Sequence, residues 1–74
     1  KTVASLRTGQ KGIITGFDNS GLSLKFLEMG CIPGNEIEVC CKAPLGSPYC
    51  VRVSGYHLAL RKDEAAQIFI SEKT

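Results

Sequence analysis

Apolar and polar residues alternate with a period of two in three short stretches of the second half of the chain. These are residues 36–42, 49–54 and 56–60, and segments that contain glycine or proline separate them. A period of two is typical of a strand with one buried face, because successive side chains point to opposite sides of a sheet. The pattern therefore predicts a hairpin of the first two stretches, followed by a third strand.

The same alternation predicts which side chains of these strands face the core. The apolar members expected to face inward are Ile37, Val39, Cys41, Tyr49, Val51, Val53, Tyr56, Leu58 and Leu60. His57 is expected to face outward. One register of the hairpin places Cys40 opposite Cys50, and a slip by two residues places Arg52 opposite Cys40 instead. The pattern leaves both registers open.

Two further strands and a helical turn are predicted nearer the ends of the chain. Residues 13–17 are rich in β-branched residues, and the turn formers at 18–21 end this strand. Residues 61–67 suit a helical turn with Asp63 as its cap, and residues 68–71 predict a closing strand.

The stretch 22–29 fits the period of a strand and that of a helix equally well. Its flanks decide between them, because Ser20 can cap a helix, Gly30 can end it and Pro33 prevents its continuation. We therefore expect a short helix here.

These elements amount to about five short strands and one helix, counted from strand patterns. In so short a chain, a closed or nearly closed antiparallel barrel hides most strand edges. The sequence therefore predicts a mainly β fold, a small SH3-like antiparallel barrel in which residues 1–74 form a single domain.

Composition and charge limit the classes of partner. The chain has 74 residues, of which 43% are apolar, and its nine Lys and Arg and seven Asp and Glu are scattered. Without a clustered basic face we expect no nucleic-acid partner. Because no window approaches the roughly 18 apolar residues of a membrane span, we expect no direct membrane insertion and a cytoplasmic location.

The four cysteines do not follow the spacing of a zinc finger, and we expect them to be reduced. Cys31 and Cys41 are interpreted as small buried hydrophobic residues. Cys40 and Cys50 are the pair with a plausible shared face. Because neighbouring strand residues face opposite sides, Cys40 and Cys41 cannot both bind one metal ion without a β-bulge.

Three motifs in this order resemble one known family. They are "FLEMGCIPG" at residues 26–34, "APLGSP" at 43–48 and "GYHLALR" at 55–61. Together they resemble the ferrous iron transport protein A (FeoA) family, and the likeness runs from about Leu6 to Ile70.

The resemblance implies an SH3-like barrel without catalytic activity, an accessory of bacterial ferrous iron uptake. Its implied partner is the membrane ferrous iron permease, whose cytosolic part is a GTP-binding domain. The family is also described as binding transition metal ions. No cofactor is expected to be required, although iron or zinc could bind.

Two departures from the family pattern affect what can be carried over. Ser47 stands where the family commonly has an acidic residue, and the helix carries Lys25 where the family commonly has several arginines. The family pattern does not require cysteine at the positions of the four cysteines, so the resemblance assigns them no metal site.

The "APLGSP" loop is the predicted protein–protein contact surface. Two prolines and a glycine fix a sharp connection, and it presents Leu45 as an apolar protrusion. We expect Leu45, Pro48 and Tyr49 to contact the partner, with Arg61 nearby as a group that can pair with a carboxylate. A rigid hairpin turn without a partner is the alternative.

Direct metal handling is the competing function. A transition-metal chaperone or sensor would present Cys40, Cys50 and His57 to ferrous iron or zinc. A regulatory barrel within a larger metal-responsive protein or transporter is a further alternative. Catalytic residues are not expected, since a nucleophile needs a base and a cleft. An exposed strand edge makes a homo-oligomer conceivable.

Overall fold

The computed structural model describes residues 1–18, 23–45 and 47–72 of the chain. Within them, five antiparallel strands form one sheet in the order β4-β3-β2-β1-β5. The strands are β1 Lys11–Phe17, β2 Glu36–Lys42, β3 Tyr49–Val53, β4 Tyr56–Leu60 and β5 Ile68–Glu72. The predicted mainly β architecture is confirmed, and each predicted strand is present.

Two short helices lie beside the sheet. Helix α1 spans Ser23–Glu28, and helix α2 spans Lys62–Ala65. Gly30 lies two residues after the end of α1 and has a φ of 94°. Glycine adopts this left-handed conformation at little cost in free energy. The helical interpretation of this stretch is confirmed, while its proposed cap, Ser20, lies outside the described residues. A 3₁₀ turn at Val3–Ser5 precedes the sheet.

Every strand contributes side chains to one buried apolar cluster, although β4 contributes only beyond its exposed first residues. Its buried members are Val3, Leu6, Ile14, Phe26, Cys31, Ile37, Val39, Tyr49, Val51, Val53, Leu60, Ala65, Ile68 and Ile70. Phe26 anchors α1, and its ring centroid lies 5.3 Å from that of Phe17 on β1. Burial of each large apolar side chain contributes about 1.5–3 kcal/mol, so this cluster is the main source of stability.

The predicted inward orientation of Cys41 is wrong. Val39 pairs with Val51 as one predicted register required, but the next pair is Cys41 with Cys50. A β-bulge therefore inserts one extra residue into β2, and a bulge changes which way the following side chains point. Cys41 is exposed, whereas Cys31 is fully buried as predicted.

The predicted inward orientation of Tyr56 is also wrong, since its side chain is 71% exposed. Tyr56 directly follows the turn at Ser54 and Gly55, where φ is 52° and 81°, and it begins the edge strand β4. Only further along β4 does the core cover the strand, so that Leu58 is half-buried and Leu60 is buried.

The predicted cap of α2 is wrong as well. Asp63 lies inside the helix and is exposed, and Arg61 occupies the cap position. The carboxylate of Glu64 accepts a hydrogen bond of 2.9 Å from the backbone N–H of Arg61. Glu64 thus satisfies a donor that the start of a helix otherwise leaves unpaired.

Gly12 allows β1 and β5 to approach closely. A Cβ atom at this position would lie 2.8 Å from Cδ1 of Ile70 and 3.1 Å from the carbonyl oxygen of Ser71. A Cβ atom at Gly16, on the same strand, would meet nothing within 4 Å.

We expect Gly12→Ala to lower the free energy of unfolding by about 1–3 kcal/mol, because the added methyl group overpacks the β1–β5 contact. Gly16→Ala is the matched control, and its effect should stay within about 0.5 kcal/mol. Urea denaturation of both variants measures the difference. Equal free energies of unfolding for Gly12→Ala and Gly16→Ala would show that β1 and β5 can move apart at Gly12 without losing stability.

Candidate functional site

The loop between β2 and β3 projects an apolar tip from one end of the sheet. The backbone N–H of Ala43 donates a hydrogen bond of 3.1 Å to the carbonyl of Pro48, which closes the base of the loop. Leu45 is 95% exposed, the highest value among the large apolar residues recorded as exposed. Pro48 is exposed too, and the bond that precedes it is cis.

Tyr49 supports the loop from below. Its side chain is only 4% exposed, so its ring belongs to the core and offers little surface to a partner. The ammonium group of Lys42 lies 4.8 Å from the ring centroid, a cation–π contact between the two strands that carry the loop. Of the four residues predicted to contact a partner, Tyr49 is therefore the one that the core buries.

Arg61 lies at the same end of the sheet as the loop. Tyr49 pairs with Leu60 across β3 and β4, so the residues that follow Leu60 emerge beside the loop. The hydroxyl of Ser47 accepts a hydrogen bond of 3.3 Å from the backbone N–H of Lys62. The structure thus brings the exposed Leu45, Pro48 and Arg61 to one surface, which we call the loop surface.

Glu64 holds α2 in position beside the loop surface. One of its carboxylate oxygens accepts the hydrogen bond from Arg61, and the other lies 2.6 Å from the ammonium group of Lys25 on α1. The hydrogen bond from Lys25 is the largest cause that lowers the pKa of Glu64, and the hydrogen bond from the Arg61 backbone is the next largest. Burial of the carboxyl group opposes this shift. Lys25, noted in the sequence only as a departure from an arginine-rich helix, therefore links the two helices.

The thiols predicted as metal ligands are arranged differently from the expectation. Cys41, rather than Cys40, pairs with Cys50 across β2 and β3. Cys40 and Cys50 are half-buried, and Cys41 is exposed. The sequence indicated no role for Cys41, because an uninterrupted strand would have turned it inward.

His57 does not join the thiols in a metal site. It pairs with Arg52, two positions along β4 from Ala59, which is the partner of Cys50. Among the described residues, no group of three or more His, Cys, Asp or Glu side chains is placed to hold a metal ion. The donor set that tetrahedral zinc requires is thus not assembled in the part of the chain that the structure describes.

An apolar groove lies at the opposite end of the sheet from the loop surface. Its volume is about 550 Å³, and Met29, Ile32, Tyr56 and Leu58 contribute its apolar lining. Ile32 is 47% exposed. Tyr56 lines this groove although the alternation pattern predicted that it faces the core, so the pattern did not reveal the groove.

The FeoA domain family model matches residues 1–72. This chain belongs to the FeoA domain family. It is also 36% identical over 67 residues to a Porphyromonas gingivalis Fe(2+) transport protein A/Fe(2+) transporter FeoB fusion protein. That match covers 89% of this chain but 8% of the fusion protein, so the chain spans a small part of that relative's length.

Solved FeoA structures share this fold. The solution structure of iron(II) transport protein A from Clostridium thermocellum has a TM-score of 0.90 and 34% identity, and the match covers 97% of this chain and 45% of that one. A Stenotrophomonas maltophilia FeoA complexed with zinc, described as an SH3 domain protein, has a TM-score of 0.83 and 24% identity over 96% of this chain and 89% of that one. The predicted SH3-like fold is confirmed.

None of the helices in the described part of this FeoA domain is long and apolar enough to cross a membrane.

The Lys25–Glu64 contact predicts a specific dependence of stability on pH. Because the folded state lowers the pKa of Glu64, its contribution is complete above the ordinary value of 4.5 and is lost as the pH falls through the lowered value. Glu64→Gln should lower the free energy of unfolding at neutral pH by about 1–3 kcal/mol. At an acidic pH below the lowered pKa of Glu64 the difference from wild type should shrink, because the carboxyl group is then protonated and as neutral as the glutamine side chain.

Urea denaturation at both pH values tests this expectation, and Glu28→Gln on the exposed face of α1 serves as the control. The control should change stability by no more than about 0.5 kcal/mol at either pH. A Glu64→Gln effect that is the same at both pH values would contradict the assigned role of the charged carboxylate.

Proposed function

We propose that this FeoA domain is a non-enzymatic accessory protein or domain of bacterial ferrous iron uptake in the cytoplasm. In this proposal it binds the cytosolic GTPase part of the ferrous iron permease through the loop surface and modulates uptake. Residues 1–74 act as one domain, either alone or as part of a longer chain.

The kinship with transport proteins supports an accessory role. The Porphyromonas gingivalis relative carries an Fe(2+) transport protein A region and an Fe(2+) transporter in one chain, so the two functions are physically joined there. The Stenotrophomonas maltophilia protein has been proposed as a ferrous iron transport activating factor. A physical link to the permease would give this chain the same opportunity to act on the transporter.

The nearly complete exposure of Leu45 on a closed loop is the observation that carries the proposal. A single exposed leucine is common, but this one stands at the tip of a loop held by the Ala43–Pro48 and Ser47–Lys62 hydrogen bonds. A loop held in this way loses little conformational entropy on binding. Arg61 beside it can donate paired hydrogen bonds to a partner carboxylate.

We expect Leu45→Asp to weaken binding to the permease's isolated GTPase domain by tenfold or more. Burial of a leucine in an interface contributes about 1.5–3 kcal/mol, and 1.4 kcal/mol corresponds to a factor of about ten in the dissociation constant. Isothermal titration calorimetry, with and without guanine nucleotide, measures the affinity. The thermal midpoint should stay near that of wild type, because Leu45 contributes nothing to the core.

Tyr56→Asp is the matched control, since it places the same charge at an exposed apolar residue of the opposite groove. It should leave the affinity unchanged. If Tyr56→Asp abolishes binding and Leu45→Asp does not, the apolar groove and not the loop surface contacts the permease. Full binding by both variants would remove both surfaces from the interface.

A further inference from the structure

A β-bulge gathers three of the four cysteines at the base of the 43–48 loop. Between the Val39–Val51 pair and the Cys41–Cys50 pair, β2 advances by two residues while β3 advances by one. In such a bulge, two successive residues of one strand oppose a single residue of its partner. Cys40 and Cys41 therefore both lie opposite Cys50, an arrangement that an uninterrupted pair of strands forbids.

The thiols of this cluster are accessible from solvent. Cys41 is exposed, Cys40 and Cys50 are half-buried, and Cys50 has the small, exposed Ala59 as its neighbour on the other side. Cys31, in contrast, is fully buried in the core. Structural cysteines are usually buried, so three accessible thiols on one strand pair are unusual for residues that only fill space.

Cys41 and Cys50 lie directly opposite each other across β2 and β3. A hydrogen bond with the thiol of Cys41 raises the pKa of Cys50, and burial and the nearby charges of Cys41 and Cys40 add to the shift. Two adjacent thiolates without a cation between them would repel each other. A cation that bridges both sulfur atoms removes this repulsion and displaces both protons.

The number of ligands selects the kind of cation. Directly paired strand residues have Cβ atoms about 4.5–5.5 Å apart, which allows two thiolates to hold one ion between them. No group of three or more His, Cys, Asp and Glu side chains in the described ranges can hold a metal ion, so ions that require tetrahedral or octahedral coordination are poorly served. Thiolates select soft ions, and Cu(I) is the soft monovalent ion that accepts two sulfur ligands.

We propose that Cys41 and Cys50 form a two-thiolate site for Cu(I) at the β-bulge. Binding converts two thiols and one Cu⁺ ion into a complex of net charge −1 and releases two protons, with no change in oxidation state. The site differs from the sequence-based candidate in both its ligand pair and its metal, and it requires neither His57 nor Cys40. It does not depend on the proposed docking to the permease.

The test is an anaerobic titration of the fully reduced protein with Cu(I), in competition with the chromophoric chelator bicinchoninate. We expect one ion per chain, with affinity that rises with pH because protons are released. Cys41→Ser and Cys50→Ser should each weaken binding by at least about 100-fold, because each removes a direct ligand and the loss of an outer-shell partner alone costs roughly 10–100-fold. Cys40→Ser is the matched control from the same bulge, and its affinity should stay within a few-fold of wild type.

X-ray absorption at the copper edge should show two sulfur neighbours, and circular dichroism should show that all three variants keep the wild-type fold. Retention of wild-type affinity by Cys41→Ser or Cys50→Ser would overturn the proposal. An equal loss in Cys40→Ser, or tight Zn(II) binding with the same dependence on Cys41 and Cys50, would overturn the two-thiolate assignment in favour of a larger ligand set.

Discussion

The alternation of buried side chains on β3 is the constraint on which the other features of this domain depend. Tyr49, Val51 and Val53 are at most 4% exposed and contribute to the core, while the residues between them face outward. A slip of one residue would turn all three out of the core. With the strand held in this register, Tyr49 meets Leu60, Cys50 meets Cys41 and Arg52 meets His57. The loop surface and the thiol pair are both consequences of this pairing.

The loop surface and the apolar groove lie at opposite ends of β3 and β4. The loop surface is held by backbone and side-chain hydrogen bonds and by the buried ring of Tyr49. The apolar groove lies beside the turn at Ser54 and Gly55, and the exposed Tyr56 is part of its lining. Each surface therefore has its own structural cause, and a substitution at one end need not disturb the other. This separation suits a module that works by contact.

Membership of the FeoA family does not account for every chemical feature of the chain. The SH3-like fold is shared with relatives at low identity, and a fold by itself does not specify what a protein binds. The cysteines lie at positions where the family pattern does not require them, yet the bulge places Cys41 and Cys50 opposite each other. Likewise, the exposed Lys25 pairs with the buried carboxylate of Glu64 and links α1 to α2. These features belong to this sequence rather than to the fold.

Local patterns in the sequence determined most of the architecture. Alternation placed β2, β3 and β4, β-branched residues and strand patterns indicated β1 and β5, flanking residues identified α1, and three ordered motifs indicated the family, because these signals depend only on neighbouring residues. The tertiary structure alone decided the orientation of Cys41, the exposure of Tyr56 and the burial of Glu64. A bulge depends on how two strands fit one core, and the cover over an edge strand depends on distant segments, so neither follows from periodicity. The fold was therefore readable from the chain, while the arrangement of its thiols and surfaces required the pairing of strands in space.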